Sequence, residues 1–288
     1  MTMPPAQGRH IALGQANLLL FEARRPDRVL VFSPALGVRA DYYAEFARAL
    51  NREGITVAVN ELRGHGTSPL VPDRGVDFGY SALINEDLRA VVDYAAGTCA
   101  GLPLVLGGHS LGGQLATLYA ARYQPACEGI VQIGCSSPFY RGFPPSRRRA
   151  IYWGAFMIQA AVFVMGYFPG RTFGFGGREA RRLMNDWVRI ARHNIFNFNG
   201  DPFDYDGTLA AVGCPVLGFC FPADTYAPLK AVRQFTDKLP QNRLTIRVLD
   251  TPDFEKTGHF NWVRQADRLA PLLTEWLARI AAEQKEEP

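Results

Sequence analysis

The stretch PLVLGGHSLGGQLATLYAARY, Pro103 to Tyr123, decides the reading of this chain. Leu104, Val105 and Leu106 form a short buried run, glycines then flank a single serine, and a helix begins at once. An ordinary strand-to-helix turn needs one glycine. Here Gly108, Ser110 and Gly112 read as G-x-S-x-G, a nucleophile elbow, in which small neighbours let the serine occupy a sharp, strained turn with its hydroxyl exposed.

Outward from that elbow, short apolar runs alternate with helical patterns. IALGQANLLLF has the character of a leading antiparallel strand pair, RVLVFSPA reads as a buried strand, DYYAEFARALNREG as a helix closed by Gly54, and ITVAVNEL as another strand. ALINEDLRAVVDYAAG predicts a helix, GIVQIGC a strand after the elbow helix, and PVLGFCF and RLTIRVLD two late strands. This alternation predicts an α/β fold with a mostly parallel central sheet flanked by helices. The interval from about 136 to 213 carries many aromatics and no clear strand, and its length predicts a helical cap inserted between late strands. The expected division is therefore a core of residues 10–135 and 214–282 with a cap at 136–213.

With 288 residues and 48% hydrophobic content the chain can bury a large core. Its 31 basic and 27 acidic residues leave a formal charge of +4, which gives no sign of a nucleic-acid surface. Arg147, Arg148 and Arg149 form the one basic cluster. Cys99, Cys127, Cys135, Cys214 and Cys220 lack C-x-x-C spacing and read as buried thiols of a reducing compartment. The opening MTMPPAQGRH has no apolar core of a signal peptide, so a cytoplasmic location is expected.

A serine hydroxyl needs a base to take its proton, and the base needs a third group to fix its tautomer and stabilise its charge. In a fold with this elbow the partners follow in the order acid, then histidine. Of His10, His65, His109, His193 and His259, only His259, in KTGHFNW, lies in a late loop before a terminal helix. Asp224, in PVLGFCFPADTYAP, follows the preceding strand, where catalytic groups collect at carboxyl ends. Asp250 and Asp253 compete but follow the last strand. ELRGHGTSP reads as a structural turn in which Arg63 braces neighbouring loops and His65 has no catalytic part. An oxyanion site needs two backbone N–H donors, and Leu111 with Leu36 of SPALGVRADYY fit by position, Ala35 being the alternative to Leu36.

GHSLGG, ELRGHGTS, ADTYAP and TGHFNW, in this order, resemble the α/β-hydrolase superfamily in its serine-hydrolase branch, with monoacylglycerol lipases, esterases and serine aminopeptidases. GYFPGR and the GHF around His259 are more closely similar to bacterial predicted α/β hydrolases. The resemblance runs from about Ala12 to Ala281. It implies Ser110 as nucleophile, Asp224 as acid, His259 as base and the Leu36 and Leu111 amides as oxyanion hole. Two positions depart from the pattern. Pro34-Ala35 replaces the usual His-Gly, and proline has no N–H to give; Glu61 replaces the usual Asp before the arginine turn. A serine at the elbow argues against dehalogenase or epoxide hydrolase chemistry, and neither a metal nor another cofactor is required.

AIYWGAFMIQAAVFVMGYF, Ala150 to Phe168, has no charged residue and is long enough to span a membrane. A span there would separate Ser110 from Asp224 and His259, so a cap helix is expected instead. Tyr152, Phe156, Phe163 and Tyr167 share a helical face, expected either to pack on both sides or to roof an apolar acyl pocket, with peripheral membrane contact through the preceding arginines. The expected partner is a small-molecule acyl substrate. The expected activity is hydrolysis of an ester or thioester with an apolar acyl group through an acyl-enzyme on Ser110. Acyl transfer, N-terminal peptide cleavage and a non-catalytic binding role are the alternatives. An aminopeptidase needs an acid in its pocket, and Glu179, Asp186 and Asp201 are the cap candidates.

Overall fold

The computed structural model describes residues 8–286. The first seven residues, which carry most of the opening stretch read above, lie outside them. Ten strands are described among these residues: β1 (Arg9–Leu13), β2 (Ala16–Phe21), β3 (Arg28–Ser33), β4 (Ile55–Glu61), β5 (Leu104–His109), β6 (Gly129–Ile133), β7 (Tyr167–Pro169), β8 (Arg178–Ala180), β9 (Val216–Cys220) and β10 (Leu244–Val248). Eight of them form one sheet in the order β1-β2-β4-β3-β5-β6-β9-β10. The pairs β1/β2 and β2/β4 are antiparallel and all the others parallel. This is the α/β-hydrolase fold.

The sheet is covered on both faces, which is why its central strands read as continuous apolar runs. Alternate residues of β3 and β5, Val29, Val31 and Leu106, pack with Leu83, Val91, Leu115 and Leu118 of the helices on one side. Their neighbours Leu30, Phe32 and Val105 pack on the other side with Phe46, Leu50, Leu273 and Trp276, from helices Ala44–Arg52 and Ala266–Glu286. The helix predicted in ALINEDLRAVVDYAAG is broken by a wider π turn at Leu83–Leu88 before it continues as Arg89–Thr98.

Between β6 and β9 the chain leaves the sheet. This segment holds a 21-residue helix, Pro145–Met165, which packs on a second helix, Arg181–His193. It also contains the antiparallel ribbon β7/β8, which the sequence does not announce because three-residue strands are too short to show an alternation. Among the described residues no helix is long and apolar enough to cross a membrane.

The cysteine expectation needs correction. Cys127 and Cys214 form a disulfide, with Cα atoms 6.2 Å apart, while Cys99, Cys135 and Cys220 are free. The two half-cystines lie just before the adjacent parallel strands β6 and β9. Sheet pairing thus brings together residues 87 apart in sequence, and no spacing rule reveals such a pair. A disulfide is what oxidising surroundings maintain, so the thiols carry no argument for a reducing compartment.

Candidate active site

Ser110 sits between β5 and the helix Leu111–Tyr123 at φ 52° and ψ −115°, a backbone conformation that side chains other than glycine avoid. The glycines around it permit the close approach that makes the elbow. A Cβ on Gly112 would stand 1.8 Å from the Ser33 carbonyl oxygen of β3, and one on Gly108 would stand 2.2 Å from the Gly112 carbonyl carbon. Helix and strands therefore touch through bare backbone, and the serine between them is left at the sheet's carboxyl edge.

Asp224 lies four residues past β9 and His259 in the loop after β10; both are buried. His259 Nδ1 is 2.7 Å from Asp224 Oδ2. The other carboxylate oxygen accepts the backbone N–H groups of Tyr226, at 2.8 Å, and Ala227, at 2.9 Å, so the acid is held from both ends. Asp250 is exposed, and Asp253 is paired with Arg268 on the surface. Neither of these bonds to His259.

Ser110, Leu111, Leu36, Ala35 and His259 all line one cavity of about 490 Å³. Leu111 is the first residue of its helix, where backbone N–H groups have no partner within the helix. The Ala35 N–H is already committed, donating to the Tyr43 hydroxyl at 2.9 Å. That hydroxyl lies 2.9 Å from His109 Nδ1 and donates to it, a neutral arrangement consistent with the burial that pushes the His109 pKa well down.

The cap helix contributes Ala150, Ile151, Gly154, Met157 and Ile158 to the cavity, and Phe168, Phe173, Phe175 and Trp187 close its far side. Tyr152, Phe156, Phe163 and Tyr167, the expected pocket face, are not in its wall. Tyr152 packs on Tyr140 and Trp153, Phe156 lies under the Arg192 guanidinium, Phe163 is 86% exposed, and Tyr167 sits beyond the helix beneath Arg178. The physical reason is that a second apolar stripe of the same helix takes the inward position. The buried face of the helix carries Ala155, Ile158 and Val162, and the rings are turned outward.

Other residues gain meaning only from the fold. Tyr226 stacks on His259, with centroids 5.2 Å apart and planes 27° apart. Gln114 accepts a hydrogen bond from Tyr80 and donates to the Ser136 carbonyl, which fixes polar wall residues next to the elbow. The ELRGHGTSP turn is a brace, as expected. Arg63 bonds Glu86 and buried Asp87, whose pKa burial pushes up to about 7 against the pull of the arginine. Glu61 uses its extra methylene to accept from both Ala40 and Thr67 backbone amides. His65 bonds Glu179 at 3.1 Å; burial alone would lower its pKa, but Glu179, the Arg63 carbonyl and Glu61 together outweigh it and the net shift is upward.

The chain's similarities to known proteins agree with this geometry. A region of the Mycolicibacterium smegmatis monoacylglycerol lipase is 29% identical over 120 residues, covering 42% of this chain and 42% of that relative, so the chain spans less than half its length. The crystal structure of a soluble variant of monoglyceride lipase from Saccharomyces cerevisiae, in complex with a substrate analog, superposes with a TM-score of 0.72 at 13% identity, over 96% of both chains. Est1E from Butyrivibrio proteoclasticus, with ferulic acid bound, gives 0.61 at 16% identity over 97% of this chain and 100% of that one. Residues 24–188, more than half of the sequence, match the family model "Serine aminopeptidase, S33". The chain belongs to that family of hydrolases, within the serine-hydrolase branch of the α/β-hydrolase superfamily.

Proposed function

We propose that the protein hydrolyses esters of an apolar acyl group, with Ser110 as nucleophile, His259 as general base and Asp224 as its orienting acid. Ser110 Oγ attacks the acyl carbonyl while His259 takes its proton; the Leu111 and Leu36 amides receive the oxyanion, since Ala35 has given its N–H to Tyr43. His259 then hands the proton to the departing alcohol, and water, activated by the same histidine, releases the acid. The observation that carries the reading is the cavity wall beside Ser110 and His259, which is mainly apolar and, among the described residues, contains no carboxylate. It also weighs against aminopeptidase action. Glu179 is bound by His65 and the Gly177 amide, Asp186 by the Tyr80 amide and Asp201 by Arg122, and none of them lines the cavity to receive an ammonium.

Lengthening the acyl chain of p-nitrophenyl esters is expected to raise kcat/KM until the cavity is full. Each buried methylene is worth about 0.8 kcal/mol, so two added carbons give roughly a tenfold gain. A Cβ on Gly154 would meet nothing within 4 Å, so Gly154→Leu adds volume at the wall without a clash and removes a helix-interior glycine. It should shorten the preferred chain while the melting temperature stays level or rises. A flat length profile in the wild type would sink the acyl-pocket reading.

The outward rings suit a lipid surface. Trp153, Phe156, Phe163 and Val164 are each more than half exposed on the cap helix, whose first turns carry Arg147, Arg148 and Arg149. The protein is expected to co-sediment with vesicles containing phosphatidylglycerol. Phe163→Ser should weaken that binding roughly tenfold, by loss of one buried ring. Failure of the wild type to sediment would remove this contact from the proposal.

A further inference from the structure

We infer that Arg147 is an anion-recognition residue on the leaving-group side of the site, and that the favoured substrate is an acyl ester whose departing alcohol carries a phosphate. The inference rests on the esterase reading above and specifies its substrate.

Among the described residues Arg147 is the one arginine or lysine in the cavity wall, and a guanidinium keeps its charge at any working pH. It is placed in a layered stack: its guanidinium carbon lies 4.8 Å from the Tyr226 ring centroid, and Tyr226 in turn stacks on His259. The neutral Thr225 hydroxyl accepts from Arg147 Nη2 at 3.0 Å. Among the described residues no carboxylate comes within ion-pairing distance of Arg147, whereas Arg28, Arg63 and Arg122 each have at least one. A half-buried, oriented guanidinium with one neutral partner keeps most of its five donors for something else.

Two further observations say what that is. His259 returns its proton to the leaving oxygen, so the groups layered against the imidazole flank the departing alcohol, while the apolar wall of Ile151, Phe168 and Trp187 takes the acyl chain. The surroundings favour an anion as well. Between Glu128 and Glu179 the sequence has six arginines and no Asp, Glu or Lys, so no acid of that segment competes for the guanidinium. The Arg fork matches phosphate oxygens in a two-point contact, and a phosphate on a short alcohol such as glycerol stays within a few bonds of the ester.

The test compares two substrates with the same acyl chain, a monoacylglycerol and the corresponding acylglycerol phosphate. Both are presented in neutral detergent micelles at constant ionic strength, and the readout is the ratio of their kcat/KM values. The wild type should favour the phosphate ester. Arg147→Gln should lower the ratio roughly ten- to hundredfold, the range for a charge-assisted hydrogen-bonded contact, and Arg147→Lys should restore part of it. Arg24→Gln removes the same charge from an exposed position outside both the cavity wall and the cap helix and should leave the ratio unchanged. If Arg147 only props Tyr226, Arg147→Gln lowers both rates together and the ratio stays, which overturns the inference. A wild type that turns over the neutral ester without preference also overturns it, leaving the esterase reading intact. No turnover of either ester, with Ser110 unreactive to a fluorophosphonate, would bring down the esterase reading itself.

Discussion

Ser110→Ala should abolish labelling by a fluorophosphonate probe and lower ester turnover by about six orders of magnitude. Loss of the nucleophile in a serine triad costs that much, because its members act as a unit. The fold should survive. The elbow is built by backbone approach at Gly108 and Gly112, and the Ser110 side chain makes no hydrogen bond within the described structure. The melting temperature of Ser110→Ala should therefore stay within a few degrees of wild type. Ser110→Gly, equally inactive, should melt higher, because glycine adopts φ 52° without the strain that a Cβ brings. A folded wild type that the probe leaves untouched would point instead to a binding protein on a hydrolase fold.

Asp224→Asn should lower turnover of a p-nitrophenyl ester by about two to four orders of magnitude. The two amides at Tyr226 and Ala227 hold one end of the Asp224 side chain as an acceptor, so an asparagine there turns its NH₂ toward His259. The imidazole must then accept at Nδ1, which puts its proton on Nε2, the wrong nitrogen for drawing one from serine. Asp250→Asn, on an exposed side chain with no bond to the histidine, should change the rate less than about twofold, the usual scale for a surface change away from the site. The opposite ranking in the ester assay would reassign the acid and leave the fold untouched.

The elbow was legible because close approach of backbones leaves glycines at fixed positions, and Gly108, Ser110 and Gly112 are a local pattern. Asp224 and His259 were legible from order along the chain, since parallel strands deliver their following loops to one edge of the sheet. What depends on how distant segments face one another was not. The periodicity of Tyr152, Phe156 and Phe163 defines a face of the cap helix but has no sign that tells inside from outside. The same helix carries a second apolar stripe, Ala155, Ile158 and Val162, and it is that stripe the fold buries. The layering of Arg147 on Tyr226 and of Tyr226 on His259 joins three separate segments, and nothing local marks it. The Cys127–Cys214 pair is hidden for the same reason.

That disulfide also changes the topology of the molecule. It joins the residues just ahead of β6 and β9, so β6 and the whole excursion that follows it lie within one covalently closed ring. The returning end of the excursion is thereby tied to the amino end of β6 by a covalent bond as well as by the strand pairing. A single backbone cut anywhere in the excursion would not release a fragment. The nicked protein would remain one molecule until a reductant divided it, with Ser110 on one piece and Asp224 with His259 on the other.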